Sequence, residues 1–109
     1  MAHFVIMTVL ADDAEAARTT ATPAHRAYLA RHADHLLAVG PTLSDDGGVA
    51  LGSVYLFEAP NRAAVERFVA DDPMTLAGVR ARIEIVRWKM AGFDRIYPLV
   101  VSAYEPMGR

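Results

Sequence analysis

The chain has 109 residues, a formal net charge of −2 and 53% hydrophobic residues, which fits one small domain with a packed core and excludes a disordered chain. Acidic and basic residues are interspersed, without the basic stripe that phosphate neutralisation needs, so nucleic acid is not an expected partner. With no cysteine, disulfides, thiolate nucleophiles and thiolate metal sites are excluded together.

In chain order, His3 to Leu10 is β-branched and apolar, is bounded by Asp12-Asp13 and reads as a buried strand. The apolar run Phe4 to Ala11 is too short to span a bilayer and follows no basic segment, so neither a membrane span nor a signal peptide is expected. The protein reads as cytoplasmic, with no membrane partner. Residues Ala11 to Ala21 read as a loop or a short helical lead-in. A helix is expected from Pro23 to Val39, with Thr22 as N-cap and Pro23 at the first helical position, where its missing N–H costs nothing. His25, Tyr28, Leu29, His32, Leu36 and Val39 then share one face, Arg31 and Asp34 lie off it, and Gly40-Pro41 stops the helix.

Asp45-Asp46-Gly47-Gly48 reads as a turn into a strand over Val49 to Glu58, in which Gly52 marks a bulge or a close backbone approach. Asn61 caps a second amphipathic helix with Ala64, Val65, Phe68 and Val69 inward. Asp72-Pro73 opens a short helical turn that ends near Gly78, and Ala81 to Met90 forms the last strand. Residues 1–92 make the domain and residues 93–109 a C-terminal extension. Its apolar, β-prone stretch, residues 94–105, is expected to pack as an extended segment on the domain or across a partner, with Pro98 favouring an edge.

The order strand, helix, strand, hairpin-like turn, helix, strand is that of an α+β, ferredoxin-like antiparallel sheet with its helices on one face. The other sheet face is bare. A domain of this size leaves much apolar surface unburied when it folds alone, and a second copy of the same sheet is the economical cover, so a homodimer is expected.

Two residues invite a chemical reading. His25 faces the core from the first turn of its helix, as a core histidine satisfied by backbone or as a proton-transfer group near neutral pH. Asp72 precedes Pro73 and reads first as an N-cap, with a chemical role as the other possibility. Ser53 and Tyr28 are candidate pocket-lining, substrate-binding groups, with a strand hydroxyl and a core aromatic as their plain roles. His32 and His35 raise a metal reading, but His35 is displaced from the shared face and no carboxylate completes a zinc-type motif, so no metal is expected. No glycine-rich phosphate loop or nucleotide fingerprint is present, and no cofactor is expected.

Read together, Pro23 to Leu29, Gly40-Pro41, Gly52-Ser53, Asp72-Pro73 with Ala77-Gly78-Val79, and then Ile85 and Trp88, resemble the YciI-like family in order and spacing over residues 3–90. The resemblance implies a dimeric α+β barrel and a catalytic histidine–aspartate pair that maps to His25 and Asp72. Some members are small-molecule lyases, including a dehydrochlorinase of chlorinated hydroxyhydroquinones. Two departures stand out. The segment before Gly40-Pro41 looks short and lacks the expected glycine turn, and the chain runs on past Gly92.

An aspartate that accepts from one ring nitrogen fixes the tautomer and favours the imidazolium, leaving the other nitrogen to move a substrate proton. Two functions of different class follow. One is a cofactor-independent lyase or isomerase acting on a small molecule; the other is a non-catalytic small-molecule-binding or accessory dimer. A cleft with both side chains in hydrogen-bond reach favours the first, and a filled, dry interior the second.

Overall fold

A computed structural model describes residues 1–92; the expectation for residues 94–105 lies outside them. The elements are β1 (Ala2–Leu10), α1 (Glu15–Arg31), β2 (Leu36–Leu43), β3 (Ala50–Ala59), α2 (Arg62–Asp71), α3 (Pro73–Leu76) and β4 (Arg80–Trp88), with a 3₁₀ turn at Ala33–His35 between α1 and β2. The four strands form one antiparallel sheet in the order β2-β3-β1-β4, with the helices on one face. This is the ferredoxin-like α+β arrangement expected from the element order.

Strand alternation sorts the two faces. Phe4, Ile6 and Thr8 of β1 are buried beside Phe57, Tyr55 and Ser53 of β3, under the helices. On the opposite face Val5 lies between Leu56 and Val86, and Met7 between Val54 and Glu84. Met7, Val9, Val86 and Trp88 are left exposed there. Gly52 is the close approach its position suggested: a Cβ would stand 1.8 Å from the Thr8 carbonyl oxygen of the neighbouring strand.

Two boundaries differ from the sequence reading. The first helix begins at Glu15, eight residues before Pro23, and ends at Arg31. Thr22 is not its N-cap: the hydroxyl donates to the Arg18 carbonyl at 2.7 Å from inside the helix. Pro23 removes one helical donor, and the carbonyl this frees belongs to Thr19, an exposed residue on a helix whose buried members are only Ala21 and Tyr28. Glu15 to Ala21 is helical through alanine-rich composition rather than an apolar stripe, so periodicity gave no sign of it. Leu36 to Val39, read as the helix end, opens β2 instead. Gly40-Pro41 lies within that strand, and Pro41 is tolerated because β2 is a sheet edge. The segment between helix and Gly40-Pro41 is therefore not short; it holds the 3₁₀ turn and the start of β2.

Under the sheet, Phe68 of α2 stacks on Phe57 with ring centroids 4.3 Å apart and on Tyr28 of α1 at 5.3 Å. Val65, Val69, Phe4, Ile6, Tyr55 and Ala59 complete this cluster. Asn61 caps α2 as expected, its side chain accepting from the Ala64 N–H at 2.9 Å.

Candidate active site

Pro73 disfavours helical backbone at the residue before it, and Asp72 is extended, with φ −65° and ψ 130°. The chain therefore breaks between α2 and α3 at this residue, and its side chain turns back to cap α3: Oδ1 accepts from the Met74 N–H at 2.9 Å. The same oxygen accepts from Nδ1–H of His25 at 2.8 Å. The capping role and the pairing role are thus held by one atom at once.

Asp72 is fully buried and His25 is 15% exposed at its side chain. Burial, the largest influence on the Asp72 carboxyl, pushes its pKa up; the His25 bond, the Met74 N–H and the Arg80 charge together hold it below the ordinary aspartate value. Arg80 stands behind the pair. Its Nη2 lies 3.3 Å from Asp72 Oδ2, an ion pair short of hydrogen-bond geometry. The guanidinium also donates to the Tyr55 hydroxyl and, at 2.9 Å, to Thr75 Oγ1. Gly78, at φ 73°, closes α3 in the left-handed region and delivers the chain to Arg80 at the start of β4.

His25 lies on the wall of a cavity of about 360 Å³ between α1 and the sheet. Ser53 is on the same wall, its hydroxyl sharing a hydrogen bond with Thr8 Oγ1. Tyr55, Leu29, Val39, Pro41 and Met74 supply much of the rest. Burial raises the Tyr55 phenol pKa, with the Asp72 charge adding to it and Arg80 and Ser53 opposing, so the hydroxyl stays protonated. Tyr28, expected near the pair, is turned elsewhere: its hydroxyl donates to the Phe68 carbonyl at 2.8 Å, and its ring lines a neighbouring hollow with His32, His35 and Asp71.

The structure therefore brings His25, Asp72 and Ser53 to one cavity and its backing, and leaves Tyr28 outside. Sequence reasoning missed Arg80 and Tyr55, and also Arg18, which lies on the same cavity wall. Tyr55 falls inside the expected Val49 to Glu58 strand and Arg80 just before the last one, positions that carry no chemical signal of their own; Arg18 fell in the stretch read as a loop or a short helical lead-in. Among the described residues, no three His, Cys, Asp or Glu side chains gather as a metal would require, and no helix is long and apolar enough to cross a membrane.

Comparison with solved structures finds 5-chloro-2-hydroxyhydroquinone dehydrochlorinase, TftG, of Burkholderia phenoliruptrix AC1100, in complex with 2,5-dihydroxybenzoquinone. It is 32% identical, with a TM-score of 0.73 over 80% of this chain and 93% of that one. Looser likenesses are the C-terminal domain of MgtC from Mycobacterium tuberculosis (15% identity, TM-score 0.48, 86% and 95% covered) and an antibiotic biosynthesis monooxygenase (16%, 0.49, 84% and 100%). A search of curated proteins finds no match. The model of the YCII-related domain matches residues 2–89, and the chain belongs to that family.

Proposed function

We propose that the protein is a small-molecule lyase or isomerase that works without a cofactor, with His25 moving protons and Asp72 holding it. The observation that supports this most is the 2.8 Å bond from the ring to a fully buried carboxylate at the edge of a cavity. An ionised aspartate only accepts, so Nδ1 carries the proton and Nε2 has the lone pair. Nε2 is then a base toward the cavity, and the carboxylate stabilises the imidazolium that forms.

TftG is named for a chlorinated hydroxyhydroquinone, and the same chemistry suits this site. Nε2 takes the proton of the ring hydroxyl beside the chlorine and returns it to the carbon that bears the chlorine, leaving a ketone and a tetrahedral carbon. It then takes the proton of the hydroxyl opposite, and chloride leaves with the electron pair of its bond. The net change is loss of HCl and formation of a quinone, which needs no external oxidant. Ser53 serves as a substrate-binding hydroxyl on the wall. The working unit is a homodimer formed through the exposed apolar sheet face around Met7, Val86 and Trp88, and light scattering at micromolar concentration should return twice the chain mass; a monomer would remove that part of the proposal.

The test of the chemistry is chloride release from 5-chloro-2-hydroxyhydroquinone above the uncatalysed rate. Wild-type protein should accelerate it and His25→Asn should lose the acceleration while remaining folded. Equal rates for the two proteins would overturn the reading.

A further inference from the structure

The wall of the His25 cavity is charged with one sign. Three arginines lie on it, Arg18, Arg26 and Arg80, and no aspartate or glutamate does. Arg80 is neutralised: its side chain is 5% exposed and faces the Asp72 carboxylate. Arg18 and Arg26 are different. Among the described residues neither has a carboxylate oxygen within 4.0 Å, although Asp12, Asp13 and Glu15 line the hollow on the other side of Arg18. Unpaired surface arginines are common; here two of them line one cavity whose wall carries no acid.

Their placement follows from the length of α1. Residues 18, 22, 25, 26 and 29 recur at helical spacing, so Arg18, Thr22, His25, Arg26 and Leu29 make one face, and all five line the cavity. Across from this face stand the apolar side chains of Val39, Pro41 and Met74 and the Ser53 hydroxyl. The cavity, at about 360 Å³, is at the small end of the range of about 300–1,000 Å³ usual for small-molecule sites. Its contents are thus matched to a small body with an apolar, ring-like part and a negative rim. A guanidinium is the group best shaped to take two oxygens at once.

We infer that this cavity selects substrates that are already anionic when they enter: small planar molecules with an ionised hydroxyl, enolate or carboxylate, received by Arg18 and Arg26. The inference rests on the reading of the His25 cavity as the substrate site and adds its charge class. A substrate that arrives with the hydroxyl opposite already ionised spares His25 the second proton removal, while the first still supplies the proton that goes to carbon.

Calorimetric titration of the full chain with two probes tests this. One is 2,5-dihydroxybenzoquinone, doubly ionised in neutral water; the other is its dimethyl ether, the same ring without charge. The chain has no cysteine to add to either quinone. The anion should bind wild-type protein about ten-fold or more tightly than the ether, as a charge-assisted contact implies. Arg18→Gln with Arg26→Gln should abolish that preference without a fall in melting temperature, and Arg18→Lys with Arg26→Lys should keep most of it. Equal affinity for both probes, no binding of the anion, or an undiminished preference in the glutamine variant would each overturn the inference. The lyase reading fails separately: a wild-type protein that prefers the anion yet releases no chloride keeps the charge class and loses the reaction.

Discussion

His25 differs from His32 and His35 in what its Nδ1–H meets. His25 donates to the buried carboxylate of Asp72, whereas His32 donates to the Tyr28 carbonyl at 2.9 Å and His35 to the Glu58 carbonyl at 3.0 Å. The latter two also pack on aromatics: His32 lies 4.4 Å from Tyr28 and edge-on to Phe68, and His35 stacks on Phe57 at 5.7 Å. A carbonyl and a carboxylate both fix a tautomer, but only the carboxylate stabilises the ring once it takes a second proton. His25, inside α1, is placed for the proposed proton transfer, whereas His32 and His35, just past the end of that helix, pack on aromatic rings.

The sharpest way to break this comparison is to remove each histidine in turn. His25→Asn should lower turnover by roughly 10²- to 10⁴-fold, the usual worth of a positioned proton-transfer group. His32→Asn should leave turnover intact and lower stability instead, because its ring packs on Tyr28 and Phe68. Steady-state rates beside melting curves for both variants decide it; similar losses of rate in the two would erase the distinction.

The next effect is on stability. Asp72→Asn keeps an acceptor for the Met74 N–H but leaves Arg80 buried without its counter-charge, and breaking a buried pair in this way costs about 3–5 kcal/mol. Urea denaturation should show the loss at neutral pH. The pH dependence has a definite sign. Because the folded Asp72 pKa lies below the ordinary 3.8, its contribution is present above about that pH and is lost as the pH falls through the lower, folded value. The variant should therefore show a flatter stability curve on the acid side, and an unchanged acid slope would mean that Asp72 is not held ionised.

How far the sequence carried these results can be read from particular residues. The strand pattern of β1, the Asn61 cap and the Asp72-Pro73 break were legible because each rests on local stereochemistry, whereas Gly52 signalled only a bulge or a close approach, and its contact is with Thr8 of the neighbouring strand. The start of α1 was not, because Thr22-Pro23 is a strong local start signal that the longer alanine-rich helix overrides. The same error placed Leu36 to Val39 in a helix, since Leu36 and Val39 fit helical spacing as well as an edge strand. His25 and Asp72 stood out singly by position, and their pairing came from family resemblance. Arg80 could not have been found that way, because its role depends on a contact across the fold with Asp72 and Tyr55. Tyr28 was placed near the pair by helical spacing from His25, three residues away, yet that spacing does not fix which hollow a ring enters.

The smallest effect sharpens the packing side of the comparison. Tyr28 is buried and donates to the Phe68 carbonyl, and its pKa is pushed up to about 12, first by burial and then by the charges of Asp71 and Asp72, with Arg31 opposing. Tyr28→Phe removes one buried hydrogen bond and leaves a carbonyl without its donor, a loss of about 1 kcal/mol at neutral pH. The alkaline limb is more telling. A raised folded pKa gives stability that is fully present below the unfolded value of 10.0 and is lost as the pH climbs toward about 12. Wild-type protein should thus lose stability across that interval through this one phenol, and Tyr28→Phe should not. Since the hydroxyl faces Phe68 rather than the His25 cavity, the variant should also keep the KM of the wild type. A large rise in KM with an unchanged alkaline limb would instead make Tyr28 a substrate-binding residue.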